Sequence, residues 1–285
     1  MDKRHDTRPA SSTAAPLLKV DDPDAYVSTL VLPRAFQAPV QAILAFAATV
    51  ARTRDRVSEP APGEIRLRYW LDLLGGDEHG ITGANPLAVE LLATIDRYDL
   101  PTGPLRRLLA ARRFDLYDDP MPDMATFEGY AGETVSILYQ LSSVILNGGN
   151  DAGAADAAGH LGVAHALIEN LRALPRTASR GQICLPWKTF QDRGATPADY
   201  LGGKATPATI AACGDLRRAA ATHLGKARTA IAALPENVRP AFARIAILQA
   251  QLKRLEMHAN LPFLPPHDST SWQKIALLVW WSVRN

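Results

Sequence analysis

Two cysteines in 285 residues, Cys184 and Cys213, exclude a disulfide framework, and two thiols alone make no zinc site. Long apolar runs are missing as well. The longest, Ile275 to Trp281, is far too short to span a bilayer. Charge of one sign is not in excess: 31 Lys and Arg face 29 Asp and Glu, for a net charge of +2. Bulk attraction to nucleic acid is therefore excluded. No alternating strand pattern or fixed-period repeat occurs, and neither does a glycine-rich phosphate loop, a Ser-x-x-Lys or a Gly-x-Ser-x-Gly element. Met1 to Val20 is polar, carries Asp2 and Asp6, and lacks the apolar segment of a signal peptide; it is also too acidic for an organelle transit peptide. The expectation is a disordered tail over 1–20 and a cytoplasmic protein, or one peripheral to the inner membrane.

What is present is helical. Hydrophobic residues make up 47% of the chain, enough to bury a full core. Apolar positions recur at helical spacing from Tyr26 onward, and prolines and glycines punctuate them. The first of these helices, with Val40, Ile43, Leu44 and Phe46, is expected to run through Arg52 toward Glu59 and stop at Pro60. Pro86 and Pro104 open further helices, and Thr126 to Ile145 reads as one long apolar helix. Residues 147–153 form a loop, and 189–207 a Gly/Pro-containing excursion. Eight to ten helices in a single domain over 21–285 predict an all-α bundle.

Three stretches carry chemistry when read together. The first runs from Phe46 through Asp55 to Glu59. The second is the helix from Phe127 through Tyr130, preceded by Asp115-Leu116. The third runs from His160 through Leu171-Arg172 and Gly181 to Leu185-Pro186. In order, spacing and local letters they resemble the squalene/phytoene synthase family, over residues 26–285. That resemblance implies a single large bundle of the isoprenoid synthase type with a central apolar cavity. It also implies head-to-head joining of two prenyl diphosphates by Mg²⁺ held on an Asp-x-x-x-Asp of each of two facing helices. Paired carboxylates one turn apart share a helix face, and Mg²⁺ takes oxygen ligands that neutralise the diphosphate leaving group.

The sequence departs from the family at these points. An ungapped match places Ala51 and Asp55 on the first pair and Ala173 and Thr177 on the second, while Gln182 replaces an arginine and Glu169 an asparagine. Three of the four expected ligand carboxylates are absent, so no cofactor is expected, and Mg²⁺ only if the chain is catalytic. Asp55 and Glu59, four apart, are the surviving carboxylate pair; they are candidates for one cation or for a solvated face paired with neighbouring arginines. Arg172, Arg176 and Arg180 recur every four residues. With Gln182 and Tyr130 they are candidates for a metal-free anion site, since guanidinium grips phosphate bidentately. Surface salt bridging is the alternative.

His160 and His165, five apart, do not share a helix face. Trp280 and Trp281 either close a core or dip into a membrane interface. Within the family the chain is most similar to the non-carotenoid branch that includes a mitochondrial complex I assembly factor. That likeness implies a non-catalytic protein that holds an isoprenoid or lipid chain and meets a respiratory-complex subunit near the inner membrane. The alternative is a prenyltransferase using Asp55, Glu59 and Asp115.

Overall fold

The computed structural model describes residues 12–76 and 84–284, and no strand occurs among them. In chain order the helices are α1 (Ala14–Asp21), α2 (Pro23–Thr29), α3 (Arg34–Ala51), α4 (Pro60–Gly75), α5 (Pro86–Arg97), α6 (Thr102–Arg112) and α7 (Met124–Ala131). They continue as α8 (Ile137–Leu146), α9 (Ala155–Ser179), α10 (Trp187–Asp192), α11 (Pro197–Leu201), α12 (Pro207–Ala232), α13 (Ile245–Met257) and α14 (Ser271–Arg284).

Local chemistry explains the starts. Pro23, Pro60, Pro86, Pro197 and Pro207 each occupy the first helical turn, where a missing N–H costs nothing. Asp22, Asn85, Asp123, Thr196 and Thr206 cap N-termini by accepting from the backbone N–H three residues on.

Three expectations change. The tail is shorter than 1–20: α1 begins at Ala14, and Ala14 and Leu18 are fully buried. The part of that tail over 1–11 lies outside the described residues. The first long helix does not reach Glu59. It ends at Ala51, a 3-10 turn covers Arg54–Arg56, and Glu59 becomes the cap residue of α4. Pro60 disfavours helix at the residue before it, so Glu59 is extended (φ −119°, ψ 152°) and no helix runs through it. Finally, the expected helix over 126–145 is interrupted by a π turn, Gly132–Ser136, where α9 crosses at Gly162. Pro39 and Pro175 are accommodated inside α3 and α9.

Two cores result. One gathers α1, α3, α4, α5 and α6 around Phe46, Trp70 and Leu91. The other gathers α7 and α9–α14 around Leu161, Phe190, Tyr200 and Phe242, with α9 lying along α12. The helix α8 serves both, giving Leu141 and Ile145 to the first and Tyr139 to the second.

Candidate functional site

A cavity of about 630 Å³ lies between the two cores. Val40, Leu44, Ala47, Leu138 and Ala241 supply apolar wall, while ion pairs crowd the remaining lining. The four positions matched to the family's aspartates, Ala51, Asp55, Ala173 and Thr177, all line this one cavity. They come from α3 with its following turn and from α9, so the two signatures face one another in space.

The residues present do not fit a metal. Ala51 and Ala173 offer methyl groups, and the Thr177 hydroxyl donates back to the Ala173 and Leu174 carbonyls at 3.3 Å. Asp55 is the remaining carboxylate, and it is taken: Arg180 Nη1 lies 2.5 Å from Asp55 Oδ1 and Arg176 Nη1 lies 3.9 Å from Oδ2. Glu59 is exposed and is not part of the cavity lining, so the Asp55–Glu59 pair on one helix face does not exist. Among the described residues no group of three or more His, Cys, Asp or Glu could hold a metal ion.

The arginines every four residues do converge on the cavity, but each meets a carboxylate. Arg172 donates to Glu169 at 2.9 Å and lies 3.2 Å from Asp268. Beyond it runs a partly buried lattice. Arg244 pairs with Asp22 at 2.8 Å and approaches Glu169 at 3.9 Å; Lys274 lies 2.5 Å from Asp24 and 2.6 Å from Asp268; Gln251 donates to Asp24 at 2.8 Å. Opposite charges answer one another across α2, α9, α13 and α14, so a diphosphate would meet no unopposed cationic cluster there.

Tyr130 belongs to a second polar group. Its hydroxyl donates to Asp115 at 2.6 Å and accepts from Arg112 at 2.7 Å, and Arg112 also reaches Asp115 at 2.9 Å. Gln182 lines the cavity and approaches Asp118 at 3.5 Å. The two histidines part company: His160 meets His223, whereas His165 meets the Tyr139 hydroxyl at 3.0 Å inside the cavity. Burial pushes the cavity thiol Cys184 up to about 11, leaving it an unreactive neutral group.

Sequence reading missed Asp22, Asp24, Arg244, Asp268 and Lys274. A weak signal existed for two of them. Arg244 immediately precedes the apolar run Ile245-Ala-Ile-Leu248, and Lys274 shares its helix face with Leu278 and Trp281.

The charges also set a pH response. Burial, then the nearby Arg244, hold His165 well below its ordinary 6.5. Its neutral form is therefore native, and the unfolded chain binds the proton first on acidification, so stability falls as pH drops below 6.5. Burial pushes the Asp22 carboxyl up, but Arg244 and the Ala25 N–H pull it below its ordinary 3.8. Asp268 is likewise lowered, Lys274 and Arg172 overcoming burial. Their contributions are present above 3.8 and are lost as pH falls through the lower folded values. Glu169 is raised by burial, tempered by Arg172, Arg244 and the 37% of its side chain open to the cavity, and it offsets part of the loss. Urea denaturation between pH 7 and 5 is expected to show a decline of at most about 1.4 kcal/mol per pH unit, flattened in His165→Gln.

Fold and site together define a helical isoprenoid-synthase-type protein whose cavity carries ion pairs where a metal cluster would need carboxylates. The squalene/phytoene synthase family model matches residues 18–275, and the chain belongs to that family. Its relatives include NADH dehydrogenase (ubiquinone) complex I, assembly factor 6 of Homo sapiens, 29% identical over 240 residues, covering 84% of this chain and 72% of that protein. The Drosophila melanogaster homolog is 29% identical over 279 residues, covering 94% and 82%. Among solved structures, a dehydrosqualene synthase in complex with ligand superposes with a TM-score of 0.81 at 19% identity, covering 95% of this chain and 94% of that one. Squalene synthase HpnC from Alicyclobacillus acidocaldarius gives a TM-score of 0.73 at 19% identity, covering 88% and 94%. These structures share the fold.

Proposed function

We propose that this protein is a non-catalytic member of its family that holds an isoprenoid or lipid chain and assists assembly of a respiratory NADH dehydrogenase. The observation that carries the reading is the replacement of metal ligands by Ala51, Ala173 and Thr177, with the surviving Asp55 bridged to Arg180 and Arg176. The apolar wall of Val40, Leu44 and Leu138 supports retention of a hydrocarbon tail. A phosphate-bearing head would sit near Arg176, Arg180 and Gln182 and would compete with Asp55 for the guanidinium groups; Arg172 and Tyr130 would border it through the pairs they already make.

Three measurements test this. Purified protein incubated with Mg²⁺ and farnesyl or geranylgeranyl diphosphate is expected to release no pyrophosphate. Release that disappears in Asp55→Ala would establish the prenyltransferase instead. Asp55→Asn is expected to tighten binding of a prenyl diphosphate about tenfold without metal by freeing two guanidiniums, and adding Arg180→Ala is expected to abolish the gain. Deletion of the gene is expected to reduce assembled NADH dehydrogenase while leaving squalene and carotenoid levels unchanged.

A further inference from the structure

The exposed face of α14 is built unlike the rest of the surface. Lys274, Leu278 and Trp281 turn inward, at 7%, 0% and 8% exposure. The opposite side presents Trp272, Ile275, Val279, Trp280 and Val283, which are 68%, 41%, 50%, 55% and 82% exposed. The two adjacent tryptophans thus divide: Trp281 closes core and Trp280 faces outward. Trp272 and Trp280, about two helical turns apart, flank a shallow groove against Ala250 and Arg254 of α13. One turn on from Arg254, Met257 is 65% exposed.

Charge distinguishes this face from an ordinary subunit contact. No acidic residue occurs in Ser271–Arg284. Arg254 lines the groove with Trp272 and Trp280, Arg284 lies over Trp280, and α13 adds an exposed Lys253 against one exposed carboxylate, Glu256. The Arg284 guanidinium lies over the face of the exposed Trp280 indole, 4.0 Å from the ring centroid, so a cation sits on the apolar face. A second copy of the chain would bring no carboxylate on α14 to answer these cations. An anionic lipid surface answers them, and it accepts indoles at headgroup depth. No described helix is long and apolar enough to cross a membrane.

We propose that α14 is a membrane-docking helix that lies in the plane of an anionic bilayer surface, with Trp272, Val279, Trp280 and Val283 inserted at the interface. Lys274 and Asp268 line the cavity, so docking sets the cavity beside the lipid surface.

The full chain is mixed with vesicles of phosphatidylcholine alone or with phosphatidylglycerol, and the bound fraction is measured by sedimentation. Binding to the anionic vesicles, weakened by high salt, is expected. Trp272→Gln/Trp280→Gln/Val283→Gln changes only exposed side chains, so its thermal melt should match the parent, and its vesicle affinity should fall by at least about tenfold. Lys253→Glu/Arg284→Glu should weaken binding to the anionic vesicles selectively. The proposal is overturned if the parent stays in solution with anionic vesicles, or if the triple glutamine variant binds as well as the parent. A dimer in solution that the triple variant dissociates would also overturn it, assigning the face to a second copy.

Discussion

Arg244→Ala is expected to lower the free energy of unfolding by about 3–5 kcal/mol, among the largest single-site effects in the molecule. The Arg244 side chain is 9% exposed and is answered by Asp22 at 2.8 Å, with Glu169 at 3.9 Å. Removing it leaves the Asp22 carboxylate, half-buried and holding only the Ala25 N–H, without a countercharge. The cost of that orphan, rather than the worth of the pair, sets the magnitude. Asp22 responds first: its carboxyl loses the guanidinium that holds it below 3.8, so it rises and the variant takes up a proton at higher pH than the parent. Urea denaturation at pH 7 and pH 5 checks this, the variant losing more at pH 7. Arg244→Met combined with Asp22→Asn should recover much of the loss, because no charge then remains buried and unpaired. Equal destabilisation of the single and double variants would show that packing, and not charge, governs the site.

Gly162→Ala is expected to cost about 3 kcal/mol, the upper part of the range for overpacking. A Cβ there would sit 2.6 Å from both the Ser136 backbone N and Cα, and 2.1 Å from its hydroxyl oxygen. The hydroxyl can rotate away, but the backbone of the π turn cannot move without shifting Thr134 and Val135, which line the cavity. The loss should therefore appear both in the thermal midpoint and in the cavity's capacity for a lipid probe. Gly159→Ala, three residues earlier on α9, is the control. Nothing lies within 4 Å of its Cβ, so helix propensity should stabilise the chain by up to about 1 kcal/mol. A neutral Gly162→Ala would mean that α9 and the π turn separate freely.

The helices were legible because their determinants are local. Proline at the first turn, a side-chain cap and apolar spacing of three and four residues operate within about ten residues of chain. The positions facing the cavity were legible through resemblance, and Ala51, Asp55, Ala173 and Thr177 do share one cavity. The misread points have separate causes. Asp55 and Glu59 fall on one helix face only if the helix continues, but it ends at Ala51, Asp55 lies in a 3-10 turn, and Glu59 is extended before Pro60. The π turn at Gly132–Ser136 answers a crossing helix from far along the chain, which periodicity does not encode.

The sequence by itself determined that the chain is a helical family member and that three metal-ligand positions lack carboxylates. Tertiary structure decided what stands in their place. Asp55 meets Arg180 across 125 residues, Arg244 meets Asp22 across 222, and Lys274 meets Asp24 across 250. Each charge alone reads as a solvated surface residue. For Arg244 and Lys274, burial makes an unpaired charge costly enough that the packed chain must bring partners together; Asp55 and Arg180 meet at the more open mouth, and in each case only the fold says which partners are within reach.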